Sequence, residues 1–193
     1  PDLGWYVPIV IGIIAMFSKN FIRFSNRHIF NPAGFGLVVG TLIFHNNVSW
    51  WAVSWQQFFP QSGISLRETI PFLILLSPAL VSILRMKRYR ITLSFLIAYA
   101  LININLNSFL DPTVLFFSIV MLPEPMTSPN RHNRQILFGV FVVLISVLIS
   151  SPIFNFQFFP PIAGSRFGGT IFNSFDPLIF SLLLGNLLFF RFR

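Results

Sequence analysis

Leu122-Pro123-Glu124-Pro125-Met126-Thr127-Ser128-Pro129-Asn130-Arg131-His132-Asn133-Arg134 sets three prolines within seven residues, Pro123, Pro125 and Pro129. Each proline lacks an amide donor and clashes with the preceding turn, so no helix runs through this stretch. Apolar sequence closes in on both sides, over 113 to 123 and 136 to 154. Irregular backbone between two apolar runs survives only inside protein or around a polar cavity. Thr127 and Ser128 offer hydroxyls beside free backbone amides near the start of the helix expected from Gln135 onward. With Glu124, Arg131, Arg134 and a positive helix end they suit an anion or a polar ring system. The alternative is an ordinary turn whose bases only set topology.

Working outward, further apolar runs occupy 3 to 18, 33 to 44, 70 to 84, 91 to 108 and 173 to 190. With the two flanking the proline stretch, this predicts an all-α polytopic membrane protein of about seven segments, held in a single transmembrane domain over 1–193. The runs at 33 to 44 and 113 to 123 reach only ~18 and ~16 Å at the helical rise, against a hydrocarbon core of about 30 Å. They must be extended or stop partway. Composition agrees. The chain of 193 residues is 54% hydrophobic and 9% charged, with 26 Phe and a mean hydropathy of +0.76. Soluble domains carry about 25% charged residues, so the expected solvent is lipid.

The formal charge of +8 invites a nucleic-acid reading. If each run crosses once, however, eleven of the thirteen bases fall on one side, in four clusters: Lys19 to Arg27, Arg85 to Arg90, Arg131 to Arg134, and Arg191 with Arg193. The positive-inside rule places those loops in the cytoplasm of a multi-pass inner-membrane protein, and no nucleic acid is expected as a partner. The tryptophan-rich outer loop, 45–69, is expected to lie along the bilayer surface.

Asn31-Pro32-Ala33 is read as a helix cap, since Asn caps and Pro suits the first turn, with pore lining as the alternative. Asp111 and Asp176 each precede proline and are read as caps too. Asn103 and Asn107 share a helix face, for interhelical packing or an ion path. His28, His45 and His132 show no ligand spacing, and no metal site is expected. With Cys absent, redox chemistry would require an organic cofactor or a partner.

Several segments occur together in one order. They are Arg27-His28-Ile29-Phe30-Asn31-Pro32-Ala33, Ile91-Thr92-Leu93-Ser94-Phe95-Leu96, Glu124-Pro125-Met126-Thr127-Ser128-Pro129 with Asn133-Arg134-Gln135-Ile136-Leu137-Phe138-Gly139, and Gly168-Gly169 with Asp176-Pro177 ahead of Leu182-Leu183-Leu184-Gly185-Asn186. In this order they resemble the RnfD/NqrB family, the flavin-bearing membrane subunits of the Rnf complex and of the sodium-pumping NADH:quinone oxidoreductase. The resemblance covers about residues 27 to 190 and is strongest over 124 to 139. The family is built from two five-helix repeats. The resemblance thus makes 1–44 the end of the first repeat and 70–193 the second, with about three leading helices missing from this chain.

What the resemblance implies is a membrane subunit of an NAD(P)H- or ferredoxin-dependent, ion-translocating oxidoreductase. FMN or riboflavin would be the cofactor. Its partners would be other membrane subunits, NAD- or FAD-binding reductase subunits and a quinone. The flavin would be held by Asn31, Glu124, Thr127, Ser128, Arg131 and Arg134. The family attaches FMN through a threonine in a Ser/Thr, small-or-polar residue, Ala-Thr pattern. The corresponding residue, Thr69, stands in Leu66-Arg67-Glu68-Thr69, which lacks the Ser and the Ala, and Glu68 would repel a phosphate at close range. Family members usually carry Asp where this chain has Glu124. Two other readings stay open: a small-solute transporter or channel, and a membrane anchor for a soluble reductase.

Overall fold

An unbroken apolar stretch ending in Lys19 becomes the first helix, α1 (Tyr6–Phe21), with the base in its last turn, where it faces the negative end of the helix dipole. The computed structural model describes residues 4–44, 66–102, 112–150 and 176–192, the side chains of 66–73, 75, 112 and 192 excepted. Asn103, Asn105, Asn107, Asp111 and most of the two outer loops lie outside the described residues, as does the side chain of Thr69. The described chain is mostly helical, with seven α-helices.

After α1 the chain turns back through a short hairpin, β1 (Arg23–Phe24) and β2 (Arg27–His28), pairing Arg23 with His28 and Phe24 with Arg27. Its two turn residues, Ser25 and Asn26, have φ of 49° and 65°. Two successive left-handed residues match the twist of a tight antiparallel hairpin. The basic loop expected here is thus an ordered ribbon.

Helix α2 (Pro32–Phe44) starts at the NPA triplet, where the Gly34 amide donates to Asn31 Oδ1 at 2.9 Å. The expected cap is present. α2 packs on α1 through Gly36, at which a Cβ would stand 2.9 Å from the Ile11 carbonyl oxygen. Only glycine admits that approach.

Helices α3 (Leu66–Arg85) and α4 (Tyr89–Ile102) are joined by a tight reversal. Lys87 takes φ 55°, the Lys87 amide donates to Leu84 O at 3.1 Å and the Arg88 amide to Ile83 O at 3.0 Å. This pair of bonds is a Schellman closure, and it fixes the direction in which Arg88 leaves the backbone.

The run at 113 to 123 is not one regular helix. It forms α5 (Pro112–Phe116), widens into a π-helical turn over Phe117–Met121, and ends at Leu122. In that turn the Leu122 amide donates back to Phe117 O at 2.9 Å. The carbonyl of Ser118, which a regular helix would pair with Leu122, instead accepts from Thr92 Oγ1 at 2.8 Å. Single π turns of this kind gather at functional sites.

Helix α6 (His132–Ser150) has 19 residues and is long and apolar enough to cross a membrane. Helix α7 (Pro177–Phe189) opens with Asp176, whose carboxylate accepts from the amides of Leu178 at 2.8 Å and Ile179 at 3.3 Å. The cap expected at Asp176 is in place. A 3₁₀ turn, Phe190–Phe192, follows α7.

The main core lies between α4, α6, α7 and the α5–π segment, around Phe95, Phe117, Phe138, Val142 and Leu182, all fully buried. α6 meets α4 at Gly139, where a Cβ would lie 2.7 Å from Ile91 O and overlap the Ser94 hydroxyl. At the next contact, Gly185 of α7 admits the Phe138 ring; a Cβ there would be 2.9 Å from it. Outward, the helices present Ile13, Phe21, Ile97, Leu101 and Leu137, which are largely exposed.

Candidate functional site

The proline stretch between α5 and α6 folds over its own acidic residue. The amides of Thr127 and Ser128 both donate to the carbonyl of Glu124, at 3.2 and 3.0 Å. Ser128 Oγ donates to the same carbonyl at 2.7 Å, and Thr127 Oγ1 donates to Glu124 Oε2 at 3.0 Å. The free amides expected at Thr127 and Ser128 are therefore occupied. The physical reason is local: prolines at 123, 125 and 129 deny the loop helical bonds, and its remaining amides close a turn on the nearest carbonyl. α6 begins only at His132, four residues beyond Ser128.

Three elements far away in sequence reach into this loop. From α2, Asn31 Nδ2 donates to Met121 O at 3.3 Å, so the cap of one broken segment is tied to the end of the other. From β2, His28 Nε2 lies 3.1 Å from Glu124 Oε1. From α7, Asn186 fits with its amide oriented so that nitrogen donates to Thr127 O at 3.2 Å and oxygen accepts from the Asn31 amide at 3.0 Å. Asn31, Thr127, Ser128 and Asn186 are almost wholly buried, whereas the Glu124 side chain keeps 24% of its surface.

Arg88 is the centre of the arrangement. Its guanidinium donates to Ser128 O at 2.9 Å, Ser128 Oγ at 2.5 Å, Pro129 O at 2.9 Å and Pro125 O at 3.3 Å, and also to Asn130 Oδ1. A planar fork of N–H groups suits a loop whose carbonyls converge and whose prolines supply no donors. Burial pushes the Arg88 pKa below its ordinary value, and the positive charge of Arg27 adds to the effect. An arginine stays cationic under such shifts, so a positive charge sits beneath the loop. Gln135, in the first turn of α6, donates from Nε2 to Asn130 O at 3.1 Å, while its buried Oε1 has no hydrogen-bond partner among the described residues.

Of the predicted flavin-binding residues, Asn31, Glu124, Thr127 and Ser128 are drawn into one cluster, although Asn31 stands 90 residues from its partner Met121. Arg131 is exposed at the amino end of α6, and Arg134 is half-buried one turn further on. Arg88, His28, Gln135 and Asn186 were not singled out as site residues. Among Arg85, Lys87, Arg88 and Arg90 no feature of the sequence distinguishes the buried one. The available signal was the loop itself, since a proline-rich turn leaves carbonyls that require a many-donor partner.

The hydrogen bonds of Asn31, Thr127 and Ser128 are committed to protein groups, so these side chains hold the loop from beneath. Above them the rim is formed by Glu124, Arg131, Arg134 and the exposed Pro125 and Met126. Comparison of the chain with protein-family models, characterised proteins and solved structures found no match.

Proposed function

We propose that this chain is a multi-pass membrane subunit of an electron-transfer complex, similar to RnfD/NqrB, that carries a flavin at the rim of the Glu124–Arg134 loop. The observation that carries the reading is the convergence on one buried polar cluster of Asn31, Glu124, Thr127, Ser128 and Asn186, residues that the resemblance draws from well-separated parts of the sequence. Short helices interrupted at corresponding places are a recurrent way of building ligand sites at membrane depth.

Membrane location is supported by large apolar side chains left on the outside of the helices while small polar ones lie between them. Ser118, Thr127, Ser128, Ser181 and Asn186 have no exposure, while Leu101 is 75% and Phe21 72% exposed. Soluble domains bury large apolar groups and leave polar ones to water. The short helices would cross with help from the segments continuing them, with the basic clusters on the cytoplasmic side.

A flavin fits the rim by chemistry. Arg131 and Arg134 offer charge to a phosphate, the Glu124 carboxylate accepts from a ring N–H, and Pro125 and Met126 supply an apolar bed. The flavin itself, when bound, carries the electrons. The protein residues would orient it, with the Arg88 charge favouring the electron-rich form of a nearby ring. Ion translocation is what the resemblance adds.

Purification in mild detergent with partner subunits present tests this reading through absorbance in the flavin bands. The expected result is about one flavin per chain, released into the supernatant by trichloroacetic acid if it is not covalent. Flavin left in the pellet and lost in T69A would make Thr69 the attachment point. Absence of flavin from the intact complex would overturn the cofactor assignment.

A further inference from the structure

The hairpin between α1 and α2 is left unexplained by the flavin reading. It is the one sheet among the described residues, and it spends two strained left-handed positions, Ser25 and Asn26, to reverse the chain within two residues. Its register puts Arg23 beside His28 and Phe24 beside Arg27. His28 turns inward to Glu124, whereas Arg23, Phe24 and Arg27 are exposed.

Phe24 leans edge-on against Phe190, with ring centroids 5.1 Å apart, and the Arg191 guanidinium lies over the same Phe190 ring at 5.7 Å. The ribbon and the carboxyl end of α7 therefore form one small surface: Arg27, the cross-strand partner of Phe24, shares the face of the two aromatic rings, Arg191 lies over Phe190, and Arg23 is exposed on the ribbon's other face. Neither Arg23 nor Arg27 has an acidic partner among the described residues. Glu124 is the acid described at this end, and it is already engaged by His28 and Thr127. Arg88, beneath the loop, adds a like charge close to Arg27.

Three exposed arginines with no acidic partner among the described residues call for an anion, and the aromatic pair beside them calls for an apolar environment. A membrane interface provides both, because aromatic rings settle at headgroup level and anionic headgroups attract juxtamembrane bases. We propose that the Arg23–His28 ribbon and Phe190–Arg191 form a binding site for the headgroup of an anionic phospholipid, with Phe24 and Phe190 seated at the acyl boundary. The proposal rests on the membrane reading above but needs no flavin.

Native mass spectrometry of the full chain in neutral detergent, supplied with equal phosphatidylglycerol and phosphatidylcholine, tests it. Wild type is expected to retain phosphatidylglycerol preferentially. R23Q/R27Q is expected to lose that preference by about fivefold per arginine at low ionic strength, from about 1 kcal/mol per base near an anionic surface. R23K/R27K is expected to keep most of it. Equal retention of the two lipids by wild type, or an undiminished preference in R23Q/R27Q, would overturn the site. Displacement of the lipid by millimolar inorganic phosphate would assign the arginines to a free anion and overturn it as well. A sodium carbonate wash separates the two claims. Release of wild type from membranes overturns the membrane reading and this one together, whereas retention with no lipid preference overturns only this one.

Discussion

Two buried regions lie side by side and are held by different physics. The apolar core of α4, α6 and α7 packs rings and branched chains across glycine contacts, as Gly139 against Ile91 and Gly185 against Phe138 show. The cluster beneath the 122–131 loop instead satisfies carbonyls with Arg88, Asn31 and Asn186. The difference decides what a substitution costs. In the apolar region a change at a glycine contact loses closeness of packing. In the polar one, a buried carbonyl that loses its donor costs about 1–3 kcal/mol.

The comparison predicts that the polar cluster is the more sensitive region. The largest effect is expected at Arg88. R88A leaves the carbonyls of Pro125, Ser128 and Pro129 without this donor and should destabilise the protein by about 3 kcal/mol or more, read as a steep loss of thermal stability in mild detergent. R88K keeps the charge but not the planar fork and should recover only part of it. If R88A melts like wild type, the loop does not depend on the guanidinium.

In the apolar region, G139V forces α6 away from the Ile91 carbonyl and should cost about 2 kcal/mol; an unchanged melting temperature would refute the close approach. N31A should cost about 1.5 kcal/mol, above an ordinary cap, because Asn31 also binds Met121 O. D176A removes the cap of α7 and should cost about 1 kcal/mol. An N31A loss no larger than that of an ordinary cap, measured in parallel melts, would mean that the tie between the two broken segments contributes nothing.

How much of this was legible in the sequence follows the same division. Each apolar run meets a helix, because hydropathy and proline placement are local signals; Asn31 and Asp176 cap where Asn-Pro and Asp-Pro dipeptides predict. The end of the 113 to 123 run follows from Pro123. The π turn does not, because it is set by where Thr92 on another helix finds a carbonyl. Arg88 looked like one base among four, since its burial comes from a Schellman turn aiming it at a loop some forty residues away. The hairpin was equally hidden, as Ser25-Asn26 is a weak turn signal beside Asn-Gly.

The central claim is that the helices cross a membrane and that the hairpin and the proline loop meet on its cytoplasmic face. The native chain has no cysteine, so single-cysteine variants report without background. W5C, N26C and N130C, each probed with a membrane-impermeant maleimide in intact and permeabilised cells, test the claim directly. The account predicts that W5C labels in intact cells while N26C and N130C label only after permeabilisation. Labelling of N26C and N130C from opposite faces, or of W5C from the same face as both, would contradict it.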